Sequence, residues 1–344
     1  MDASDRVVAP PPLAGPLRLH PFRPRGRLDA GAPALLVHEW TASGYTVRGI
    51  VGLLDLSAGA TDARHGVVLP HERVHPDQVE QLAQRMARGR VDPAPILLVH
   101  RGSSALRRLV GEVCSEPPRL VRTVREQRQR WWTVTRPSEL DLVAEQLWGA
   151  SALLADGHHR YAAHRLLHGS GTPGADRALS VLVDHDDTPL HLAAVHRVVT
   201  GDVLAAARRQ GWTTSAWSPV NPLLSIAPHR IVLTDGPGCR VLTLPPTPTP
   251  PPVGSGPVAT TASMPVLALD RLLDGLGSAV SYHHEADQAI DEARRRGATA
   301  LLLPAPTLDE VLSVVRHGRL LPEKATSFQP KPRPGLLTRR LRDV

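Results

Sequence analysis

The stretch ALLADGHHRYAAHRLL, residues 152–167, leaves the backbone little choice. An apolar run of strand length ends at Asp156-Gly157, and Ala162, Ala163, Leu166 and Leu167 then recur at helical spacing. Strand, tight turn and helix follow one another without a linker, which commits this part of the chain to a mixed α/β arrangement. His158, His159 and Arg160 fall in the first helical turn, where backbone N–H groups lack intrahelical partners and the macrodipole is positive. Gly157 has no side chain to hold a ligand away from that backbone. The turn is a ready site for an anion, most naturally a phosphate.

Other elements alternate in the same manner. ALLVHEW and YTVRGIVGLLDL predict two strands joined as a hairpin across TASG, and APILLVH predicts another. Between them, Val79, Leu82, Ala83 and Met86 form a helical stripe that starts near Asp77. RLVRTV and RWWTVT predict a second hairpin around REQRQ, and PSELDLVAEQLWG predicts a helix capped by Ser138 and stopped at Gly149. ALSVLVDHDD and LHLAAVHRVV add strands. From about residue 201 come a helix (DVLAAARRQG), a strand (HRIVLTDG), and a Pro-rich connector at 244–257 that belongs on the surface. Helix, strand and helix follow in EADQAIDEARRRG, ATALLLPAP and TLDEVLSVVRHG. The expected division is an extended Pro- and Arg-rich arm at 1–34, a domain at 35–200 and a smaller α/β domain at 201–344.

Length agrees with more than one domain, because single cores rarely grow far beyond ~250 residues. No apolar run approaches the ~18 residues of a membrane span. MDASDRVVAPPPLAGP lacks the basic and apolar regions of a signal peptide, so a cytoplasmic location is expected. Cys114 and Cys239 cannot by themselves form a disulfide framework or zinc cluster. The formal charge is +7, but from Arg316 to Val344 eight basic residues face two acidic ones, so nearly all of the excess sits in the tail. A nucleic-acid partner is not expected from that distribution. Only Lys324 and Lys331 are lysines among 40 basic residues, and both fall in LPEKATSFQPKPRPGLL, either side of Phe328. A compact ammonium suits a point contact to phosphate, so both are candidate ligands.

HERVH, residues 71–75, matches the zinc-protease string H-E-x-x-H, whose histidines must share a helix face. Pro70 and Pro76 bracket it and argue against a helix, so no zinc is expected. A loop here instead offers Glu72 as a carboxylate for base or magnesium duty, with a structural ion pair as the equal alternative. His164 and His168, four apart, are placed on a partly exposed helix surface. His283 and His284 in SYHHEAD are given no role, since no strand, turn and helix are expected there. No P-loop, no GxGxxG after a strand and no Ser-centred nucleophile elbow is present.

LPHER at 69–73, LLADGHHRYAA at 153–163 and LLPEKATSFQPKPRPGLL at 320–337, in this order and spacing, resemble domain-of-unknown-function family 1015 from about residue 17 onward. The Asp-Gly-His-His-Arg turn also resembles the phosphate-binding turn of the ParB and sulfiredoxin superfamily, which includes free-serine kinases. Sulfiredoxins carry a cysteine where this chain has His158, which excludes their chemistry, and the DNA-binding helix-turn-helix of partition proteins is not apparent. The resemblance implies an α/β (α+β) fold with a ParB/sulfiredoxin-like first domain and a nucleotide- and magnesium-dependent phosphotransferase acting on a small molecule, a free amino acid such as serine being one acceptor. In that scheme ATP, ADP or CTP is the nucleotide. Gly157, His158, His159, Arg160, His71, Lys324 and Lys331 hold phosphates, and Asp156 coordinates Mg2+ or orients the acceptor. Glu72 as proton acceptor is an inference from the residues alone. One departure stands out: after PFR at 21–23 the chain passes almost at once to its first strand, whereas relatives insert a long helical stretch. That leaves two expectations, a shortened enzyme and a nucleotide sensor without turnover.

Overall fold

The computed structural model describes residues 7–244, 264–277 and 279–342, which form two compact units. The first comprises Met1–His191, Val315–Leu320 and Phe328–Val344, and the second Leu192–Val314 and Leu321–Ser327. The division falls at Leu192 rather than near residue 200, because His196–Val199 pairs with Val280–His283 and Thr299–Leu302 in the second unit's sheet. Both units mix helices and strands, and no described helix is long and apolar enough to cross a membrane. The Pro-rich connector, beyond Leu244, lies outside the described residues.

The first unit is built on a nine-stranded mixed sheet. Its strands are β1 (Leu19–His20), β2 (Leu35–Ala42), β3 (Tyr45–Asp55), β4 (Val68–Pro70), β6 (Ile96–His100), β7 (Leu120–Val124), β8 (Gln127–Val134), β9 (Ala152–Asp156) and β10 (Arg177–Asp184), while β5 (Val91–Asp92) pairs outside it with Arg339–Arg340. The order is β4-β9-β6-β10-β3-β2-β8-β7, with β1 along β3. Helices α1 (Pro76–Gly89), α2 (Ser104–Ser115), α3 (Pro137–Leu147) and α4 (His158–Gly169) complete the unit.

Local chemistry explains most of these elements. Ser43 and Gly44 both have positive φ, 51° and 80°, which gives the β2–β3 hairpin the two-residue turn that matches strand twist. The β7–β8 turn has the same signs at Arg125 and Glu126, so the hairpin closes more tightly than REQRQ implies. Helix α3 starts at Pro137 with Arg136 as its cap, placing Ser138 inside the first turn rather than at the cap. Helix α2, not expected from the sequence, is capped by Ser103, whose Oγ accepts the Leu106 N–H at 3.1 Å. Leu106, Leu109 and Val113 from α2 and Val143 and Leu147 from α3 share one core with Leu35, Val37, Leu98, Trp132 and Leu154. Each such side chain contributes about 1.5–3 kcal/mol on leaving water.

The N-terminal arm is stitched down rather than free. Leu13, Leu17, Leu19 and Phe22 are buried, and Val8, Leu13 and Phe22 bridge to Val74, Val68 and Ala34. His164 is fully buried, not on an exposed surface, because α4 presses it onto Asp92 with Nε2 3.0 Å from Oδ2. The Asp92 Oδ2 also accepts the Leu179 N–H at 2.6 Å. In the second unit, SYHHEAD does form strand, turn and helix: Val280–His283 leads into Ala286–Arg296.

His38 of β2 stacks on Trp131 at 4.7 Å between ring centroids, and its Nε2 pairs with Gln129 Oε1 at 2.6 Å. Burial pulls its pKa down to about 4, with the Gln129 bond opposing. An imidazole with a lowered folded pKa stabilises the fold fully above its unfolded value of 6.5, and that contribution disappears as pH falls from there to about 4. Unfolding free energy from urea titration should drop by up to about 3 kcal/mol on this account across that window. His38→Phe, which keeps the ring stack, should flatten the slope; an unchanged slope would remove His38 from the acid response.

Candidate functional site

Strand β9 ends irregularly. Leu154 lies opposite Leu98 and Asp156 opposite Leu97, so Ala155 is an extra residue, a bulge that re-aims the side chains at the strand end. Gly157 follows in the left-handed region, φ 97° and ψ 28°, as the residue before α4. No side chain caps the helix here, so its first turn keeps the electropositive end that anions favour. A Cβ at Gly157 would lie 3.0–3.1 Å from the Arg160 guanidinium. Glycine thus serves the turn and makes room for Arg160 to fold back across it.

Arg160 donates to Asp156 Oδ2 at 2.6 Å and to the Pro95 carbonyl. Lys331 donates from Nζ to Asp156 Oδ1 at 2.5 Å. One carboxylate therefore carries a cation on each oxygen. Lys331 arrives on a C-terminal segment with its own anchors: the Phe328 ring lies 5.7 Å from His71, Trp40 Nε1 donates to Pro330 O at 2.9 Å, and Arg333 Nη2 donates to Arg125 O at 3.1 Å.

The histidines of the turn face the segment between β4 and α1. His158 Nε2 accepts the His71 N–H, and His159 Nε2 accepts the His75 N–H, both at 3.3 Å. His71 meets His158 edge-on at 4.6 Å, and His75 stacks on His159 at 6.2 Å. Burial first, then the charges of His71, His159, Lys331 and Arg160, push the His158 pKa well below its ordinary value. It is neutral at neutral pH and, with Nε2 accepting, carries its proton on Nδ1. The positive charge of the site comes from Lys331, Arg160 and the helix end. Glu72 is partly buried, with Oε1 3.7 Å from His71 Nε2.

HERVH is not helical, since α1 begins only at Pro76, and its two histidines diverge to different partners. Among the described residues, no three His, Cys, Asp or Glu side chains converge as metal ligands. Lys324 belongs to the second unit, where φ is 53° and Nζ lies 4.7 Å from the centre of the Tyr282 ring. The structure thus groups His71, Glu72, Asp156, Gly157, His158, His159, Arg160 and Lys331 within the first unit. The Pro95 carbonyl and Trp40 complete their surroundings without any motif that announces them, and Phe328 comes from the C-terminal block that the sequence singles out.

The family model for "Protein of unknown function (DUF1015)" matches residues 18–253, more than half of the chain, and the chain belongs to that family. No curated protein matches the sequence. Among solved structures, a free serine kinase in complex with AMP is 17% identical, with a TM-score of 0.40, covering 76% of this chain and 83% of that one. A conserved hypothetical protein from Pyrococcus furiosus is 17% identical, with a TM-score of 0.40 over 80% of this chain and 92% of that one. SbnI with a C-terminal truncation, from Staphylococcus aureus, is 12% identical, with a TM-score of 0.45 over 82% and 84%.

Two glycines flanking α4 test how tightly the turn is built. Gly171, with φ 72°, has open space where a Cβ would stand, so Gly171→Ala should cost only the left-handed backbone penalty, about 1 kcal/mol. Gly157→Ala should cost about 2 kcal/mol or more, because Arg160 must also leave its carbonyl and carboxylate partners. Equal losses in denaturant melts would contradict this packing.

Proposed function

We propose that this DUF1015-family chain binds the phosphates of a nucleotide at the Asp156–Arg160 turn and transfers a phosphoryl group to a small hydroxyl-bearing molecule, a free amino acid such as serine being one acceptor. The observation that carries the reading is the uncapped start of α4 behind Gly157, flanked by Arg160 and Lys331. Backbone N–H groups there meet phosphate oxygens at close range, and the two side chains supply charge-assisted bonds. Neutral His158 contributes a hydrogen-bond edge rather than a charge. Glu72, beside His71, takes the proton from the acceptor hydroxyl as the phosphoryl group moves. Phosphate contact from the tail is assigned to Lys331 alone, since Lys324 is engaged with Tyr282.

Magnesium fits the donor chemistry in one respect: Asp156 is a partly exposed carboxylate at the turn, and Mg2+ usually takes one or two carboxylates together with nucleotide phosphates. Asp156 would hold the ion, which neutralises phosphate charge when bound. A second reading, a nucleotide sensor without turnover, is favoured by the fact that both Asp156 oxygens are already engaged by cations.

ATP, ADP or CTP should raise the melting temperature, a ligand at 100 times its Kd adding about 2.7 kcal/mol. Lys331→Ala should reduce that response with little change in the free protein, while Arg160→Ala should remove it and also lower the baseline by exposing the need of Pro95 O for a donor. No response to any nucleotide in folded protein would refute the phosphate site. Glu72→Gln should abolish phosphoryl transfer while leaving nucleotide affinity nearly unchanged. Full activity in that variant would exclude Glu72 as the base, and nucleotide binding without turnover by the wild type would select the sensor.

A further inference from the structure

Between the two cations of the turn stands the Asp156 carboxylate. Its two bonds differ in character. Arg160 is 18% exposed and is also fixed by the Pro95 carbonyl, whereas Lys331 is 46% exposed and its ammonium is tied by the Asp156 contact. The segment that carries Lys331 has independent anchors at Phe328, Pro330 and Arg333. Its ammonium can therefore change partner without the segment leaving. Both Asp156 oxygens are engaged by cations, Oδ2 by Arg160 and Oδ1 by Lys331, so what Asp156 competes for is the cation.

We infer that Asp156 is an internal substitute for the ligand's anion, holding Lys331 until a phosphate group takes the ammonium from it. The inference rests on the phosphate reading above and adds regulation of that same site. It also fixes a sign. A carboxylate whose main effect is to hold a metal should weaken binding when removed, whereas a competitor should strengthen it. The exchange needs no covalent step: one ion pair breaks, another forms, and the Asp156 carboxylate is left with Arg160.

Metal-free pyrophosphate, titrated calorimetrically in the presence of a chelator, separates these effects. Asp156→Asn keeps an oxygen for Arg160 and should bind about two- to fivefold tighter than wild type, the gain from releasing a half-exposed ion pair. Lys331→Met should bind more weakly, and the double variant should match Lys331→Met, because the competition acts only through that ammonium. Equal or weaker binding by Asp156→Asn, with measurable binding by wild type, overturns the substitution while leaving the phosphate site standing. If neither wild type nor any variant binds, the phosphate reading fails and the substitution with it. Wild-type protein provides a check that does not depend on folding of a variant. With two lysines in the chain, lysine labelled at Cε gives two NMR signals. Pyrophosphate should move that of Lys331 and leave Lys324 as the internal reference; a stationary Lys331 signal at saturation overturns the exchange.

Discussion

Asp156 sits where three distant parts of the chain must agree. Its carboxylate bonds Arg160 from the helix that follows it and Lys331 from the C-terminal segment, while Arg160 reaches on to the Pro95 carbonyl just before β6. Neither ion pair need be strong, since exposed pairs are typically worth 0.2–1 kcal/mol. Their importance lies in geometry. They keep two cations beside a helix start that Gly157 leaves uncapped, and the bulge at Ala155 sets the carboxylate between them. The edge of the first unit's sheet depends on this arrangement. His158 and His159 pin the neighbouring HERVH segment through its backbone, which brings Glu72 to the same edge.

Such a site uses the fold economically. A helix N-terminus offers donors and a positive potential at no cost in side chains, but it is weakly selective among anions. Selectivity has to come from what stands around it. Here that surround is a guanidinium fixed by a carbonyl, an ammonium on a separately anchored segment, and an imidazole held neutral by burial. On the proposed phosphate reading, donors spread over several directions would suit an extended, multiply charged phosphate better than a single small anion.

The turn itself was legible in the sequence. A change from strand to helical periodicity at Asp156-Gly157 fixes the backbone there, and Ser43-Gly44 marks the β2–β3 hairpin for similar reasons of backbone freedom. The hairpin around REQRQ was legible too, but not its tight two-residue turn at Arg125-Glu126, since neither residue is a usual choice for positive φ. The bulge at Ala155 has no sequence signature, because it arises from how β9 is paired with β6. Periodicity placed His164 on a helix but not on its buried face, where Asp92 awaits it. The scarcity of lysine pointed to the C-terminal segment, yet composition could not distinguish Lys331, which reaches Asp156, from Lys324, which lies over Tyr282. The division at Leu192 was hidden as well, because it is set by which strands His196–Val199 joins.

The central claim is that anions are bound by the start of α4. Amide chemical-shift mapping tests it most directly, with isotopically labelled protein titrated with ADP. The account predicts that the largest shifts fall on the backbone N–H groups of Gly157, His158, His159 and Arg160, with smaller ones at Lys331 and Glu72. Saturable binding with shifts centred elsewhere, and none at these four amides, would contradict it.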